Sequence, residues 1–90
     1  MKKPAPSGKD LETALQELLR KNHFTGAEHV SVFVTGPTPT PVYILTLGAD
    51  VATVLTDLLN PVLGSRTHPS LTEWVLFRPD AEAILKAARS

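Results

Sequence analysis

The spacing of hydrophobic positions changes several times along the chain, and each change marks a boundary between elements. Leu11, Ala14, Leu15, Leu18 and Leu19 recur at helical spacing, while Lys9, Glu12, Gln16, Glu17 and Arg20 fall elsewhere. This pattern predicts a helix with one apolar stripe. Ser7 and Asp10 have the spacing of a capping box, so order is expected to begin near Ser7. Arg20 and Lys21 suit the negative end of the helix dipole, and Gly26 offers a point of chain reversal after His23-Phe24-Thr25. The helix is expected to end by about residue 23.

Two β-type runs follow, Val30 to Val34 and Val42 to Leu47, separated by Gly36-Pro37-Thr38-Pro39-Thr40-Pro41. Prolines at alternate positions donate no ladder hydrogen bonds and fix φ, so the two runs must part here as the arms of a β-hairpin. Helical spacing returns in Val51, Val54, Leu55, Leu58 and Leu59, opened by Gly48 and Asp50. Pro61 disfavours helical geometry at Asn60, which puts the expected end near Leu59. A third β-type run spans Thr72 to Phe77, and Pro79-Asp80-Ala81-Glu82 suits the first turn of a last helix carrying Ala81, Ile84, Leu85 and Ala88.

The expected fold is a two-layer α+β sandwich of order α-β-β-α-β-α. The long, helical connection between the second and third strands predicts a right-handed crossover to a parallel third strand, and hence a three-stranded mixed sheet. The first two helices are expected on one face of it. Residues 1–8, rich in Pro, Gly and Lys, read as a flexible tail, and 9–90 as a single domain.

The strands pose a problem of cover. In the first, Val30, Val32 and Val34 alternate with His29, Ser31, Phe33 and Thr35. In the second and third, both faces are apolar: Tyr43, Leu45 and Leu47 oppose Val42, Ile44 and Thr46, and Trp74 and Leu76 oppose Val75 and Phe77. Strands apolar on both sides need cover on both sides. The last helix meets this requirement, and so does a second subunit that buries Phe33 and its neighbours. Aromatics concentrate binding energy, which makes Phe33, Tyr43 and Trp74 the candidate interface residues, although for Trp74 the pattern favours a core role over an interface one.

Composition narrows the chemistry. Nine Lys and Arg balance nine Asp and Glu, so no global field draws the chain to nucleic acid or an anionic membrane. RNA recognition on an aromatic sheet face is disfavoured too, because the strands carry no Lys or Arg and Arg78 comes after the third. Without cysteine there are no disulfides, thiolate nucleophiles or Cys-based zinc sites, and a reducing compartment, the cytoplasm, is the expected location. No apolar run reaches membrane-span length, and Met1-Lys2-Lys3 leads into Pro-Ala-Pro-Ser-Gly, not an apolar signal core.

His23, Glu28 and His29 lack the His-x3-His or His-Glu-x-x-His spacing of a metal site, and no metal or other cofactor is expected. The polar run Gly64-Ser65-Arg66-Thr67-His68-Pro69-Ser70 is the other candidate: Arg66, Thr67 and His68 offer a guanidinium, a hydroxyl and an imidazole to a small anion or carboxylate. It lacks the Gly and Lys spacing of a phosphate loop, and Ser65 or Ser70 with His68 does not by itself make a nucleophilic pair. The expected function is therefore a non-catalytic protein-interaction or regulatory module that homodimerises or binds another protein. A metabolite-binding or enzymatic domain using the 64–70 loop is the alternative.

Overall fold

The computed structural model describes residues 5–37, 39–64, 67–68 and 70–89. Helix α1, Gly8–Lys21, is followed by a one-turn 3-10 helix, Ala27–His29, which the expected order omitted. Strands β1, Val30–Thr35, and β2, Val42–Leu47, precede helix α2, Ala49–Leu63; strand β3, Glu73–Phe77, then leads into helix α3, Arg78–Arg89.

The start of α1 matches its sequence signal. The Ser7 Oγ accepts from the Asp10 N–H at 3.0 Å, and the Asp10 carboxylate accepts from the Ser7 N–H at 3.4 Å. The tail expected through residue 8 is shorter, because α1 already includes Gly8 and the Tyr43 hydroxyl donates to the Pro6 carbonyl at 2.6 Å. Residues 1–4 lie outside the described residues. At the other end, His23, not Gly26, turns the chain with φ of 62°. Phe24 N–H donates to Leu19 O and His23 N–H to Arg20 O, a Schellman arrangement in which the left-handed position is held by a residue with a side chain.

Helix α2 runs through Pro61 to Leu63, beyond the end expected near Leu59. An interior proline costs about 3 kcal/mol. Continuing the helix buries Leu63 and packs Val62 on the core, and burial of one such side chain offsets roughly 1.5–3 kcal/mol. Gly64, with φ of 61°, then caps the helix by donating its N–H to Asn60 O.

The sheet corrects the expected topology. Its order is β1-β2-β3, and both pairings are antiparallel, so there is no mixed sheet and no right-handed crossover to a parallel strand. The reason lies in the return path. The 15 residues of α2 span about 22 Å, and the connection from residue 64 to 72 can reach about 30 Å when extended. The chain therefore has enough length to go out along the helix and come back to the end of β2 that it left. Leu47 N–H donates to Thr72 O at 2.8 Å, fixing the entry of β3 beside the exit of β2.

All three helices pack against one another in a single layer, and that layer covers one face of the sheet. Leu11, Ala14, Leu15 and Leu19 of α1, Val51, Ala52, Leu55, Leu59 and Leu63 of α2, and Ala81, Ile84 and Ala88 of α3 are buried. They meet Val30, Tyr43, Leu45, Leu47, Trp74 and Leu76 from the strands. The Lys21 ammonium donates to the Ala88 carbonyl and ties the end of α1 to the end of α3. Because Phe77 passes directly into Arg78, α3 starts without a loop, and it packs beside α1 and α2 instead of crossing to the second face.

Candidate functional site

Alternation along each strand and the register between strands together define the face that no helix covers. Ser31 pairs with Thr46, which pairs with Glu73; Phe33 pairs with Ile44, which pairs with Val75; Thr35 pairs with Val42, which pairs with Phe77. Side chains at paired positions of adjacent strands share a face. The result is a three-by-three grid with a polar row at one end and two rows dominated by Phe33, Ile44, Val75, Val42 and Phe77. Phe33 is 64% exposed, Val75 54% and Phe77 57%, while Ile44 and Val42 between them are half-buried by these neighbours.

Large apolar side chains scattered singly on a surface are ordinary, but a contiguous cluster of them is not. This cluster carries one ionisable group, Glu73 at its corner, and no Lys or Arg. Nothing on the face offers a cation to a phosphate backbone or an anionic lipid.

The three aromatics expected to form an interface are not brought together. Phe33 is on the open face, but Tyr43 and Trp74 point to the opposite side and are buried among the helices. This corrects the interface reading of Tyr43 and Trp74 and agrees with the core role that the pattern favoured for Trp74. The Trp74 indole N–H is shared between His68 O and Leu71 O, both at 3.1 Å, and so fastens the returning connection to the core. Burial raises the Tyr43 phenol above its ordinary value; the Arg78 charge lowers it and Glu82 raises it. Phe33 pairs with Ile44 and shares the open face with Val75 and Phe77 of β3, and their signal was present in the strand alternation. What the alternation did not contain was which of the two apolar faces the helices would take.

In the 64–70 loop, Arg66 lies outside the described residues. Thr67 is buried, and its hydroxyl donates to Gly64 O at 3.1 Å, an ordinary turn contact behind the end of α2. His68 is exposed, while its carbonyl accepts from the Trp74 indole and from Leu71 N–H. The polar groups seen here serve the connection itself. His29 and Glu28 approach each other at 3.8 Å, with both side chains exposed, whereas His23 sits at the end of α1. Among the described residues no three His, Cys, Asp or Glu side chains converge as a metal site would require. Also among the described residues, no helix is long and apolar enough to cross a membrane.

No protein-family model, curated protein or solved structure matches this chain.

Proposed function

We propose that this chain is a non-catalytic protein-interaction domain that homodimerises, and that its working surface is the open face of the sheet. The observation that carries this reading is the contiguous exposure of Phe33, Val75 and Phe77 around Ile44 and Val42, on a face that none of the three helices covers. A small domain loses stability and solubility by exposing such a cluster, and covering it with another protein recovers the burial.

Sedimentation velocity over a concentration series tests the reading. The wild-type chain is expected to shift from monomer to dimer as concentration rises. Phe33→Asp is expected to remain monomeric throughout with an unchanged circular dichroism spectrum, and Thr53→Asp, on the exposed side of α2, to behave as wild type. A wild-type chain that stays monomeric at high micromolar concentration removes the homodimer.

A further inference from the structure

Resting on that reading, we propose that two copies pack their open faces together about a two-fold axis running along β2, so that β1 of each copy covers β3 of the other. The grid is self-complementary in this arrangement. Phe33, the largest and most exposed side chain of the middle row, lies over Val75 of the partner subunit; Phe77, the largest of the next row, lies over Thr35 of the partner subunit. Large meets small on both sides of the axis, as close packing of two faces requires.

The other two-fold arrangement, with the axis crossing the strands at the Phe33-Ile44-Val75 row, lays Phe33 on its own copy and Val75 on its own copy. Aromatic bulk then concentrates at one edge and leaves a gap at the other. It also lays the Glu73 carboxylate over Phe77 of the partner subunit, where desolvation of the charge has no compensating partner. With the axis along β2, Glu73 stays in the polar end row and faces Ser31 of the partner subunit, whose hydroxyl can donate to it.

Area sets the strength. Three strands about 4.8 Å apart, with about five residues each at 3.4 Å rise, make a face roughly 14 by 17 Å. Such a face has an outline of about 240 Å2 per copy, well below the roughly 800 Å2 of a standard interface. The dimer is therefore of the weak class, and its association is expected to depend on concentration. Ile44 lies on the axis, so Ile44→Asp sets two carboxylates against each other and is expected to weaken association by about 100-fold or more.

The chain contains no cysteine, which makes single-cysteine variants clean probes. Ser31→Cys, Thr35→Cys and Glu73→Cys variants are mixed in pairs and treated with a short bismaleimide whose reach matches the roughly 10 Å between packed sheets. The Ser31→Cys and Glu73→Cys mixture is expected to cross-link, and Ser31→Cys with Thr35→Cys is not. Dimers by sedimentation that cross-link only through the second mixture overturn the proposed pairing, in favour of the crossed axis or of β1 edges joined in one sheet. That outcome leaves dimerisation through this region standing. Absence of any dimer in the wild-type chain defeats both this pairing and the reading it rests on.

Discussion

Leu45 and Ile44 are chain neighbours on β2, similar in size and polarity, yet one is fully buried beneath the helices and the other sits among exposed side chains. The same contrast separates Trp74 from Val75 one strand away. The two faces of the sheet thus start from comparable sequence and end in different environments. Hydrophobicity alone does not define a core here; the side on which the helices land does. On the covered side Tyr43, Leu45, Trp74 and Leu76 are buried and only Val32 and Val34 of β1 reach solvent, with both the Tyr43 hydroxyl and the Trp74 indole hydrogen-bonded to backbone carbonyls. On the open side the same kind of residue is left to solvent or to a partner.

Neighbouring substitutions on the two faces put this contrast at risk. The largest effect is expected at Trp74→Ala, which leaves a cavity and removes the indole donor shared by the His68 and Leu71 carbonyls, costing about 3–5 kcal/mol. Val75→Ala, beside it in sequence, is expected to cost less than about 0.5 kcal/mol at concentrations where the chain is monomeric. Urea titrations of the pair measure both, and equal losses would erase the distinction between the faces.

Tyr43→Phe comes next, at about 1 kcal/mol, for the lost hydrogen bond to Pro6 O. It also alters the pH response. Since the folded-state pKa of Tyr43 lies above the unfolded value of 10.0, the neutral phenol favours the folded state. Its contribution is fully present below pH 10 and disappears as pH rises through the folded pKa. Thermal melts from pH 8 to 11 are expected to show this loss in wild type and a flatter profile in Tyr43→Phe.

A smaller gain calibrates the scale away from both faces. His23→Gly relieves a left-handed position at the end of α1 and is expected to stabilise by about 0.5–1 kcal/mol, read as a raised urea midpoint with unchanged slope. The smallest stability change is expected from Phe33→Asp in the monomer, within about 0.5 kcal/mol, although the same substitution is expected to abolish association. A large loss of monomer stability there would mean that Phe33 already belongs to the core.

Local interactions wrote much of this fold into the sequence. The capping box at Ser7 and Asp10, the stripe from Leu11 to Leu19, the proline-marked hairpin tip and the acidic opening of α3 depend on residues a few positions apart, so their spacing alone identifies them. The extension of α2 through Pro61 was not legible, because burial of Leu63 and packing of Val62 against distant parts of the chain together offset a local penalty. The direction of β3 was hidden for a similar reason: a connection of this length allows either a parallel or an antiparallel return, and only the pairing of Thr46 with Glu73 selects one. For the candidate surface, the sequence contained the two apolar faces of β2 and β3 through strict alternation, which is a property of neighbouring residues. Which face became core and which became surface was decided by tertiary structure, because a strand's alternation is symmetric between its sides until the helices, held together by their own contacts, occupy one of them.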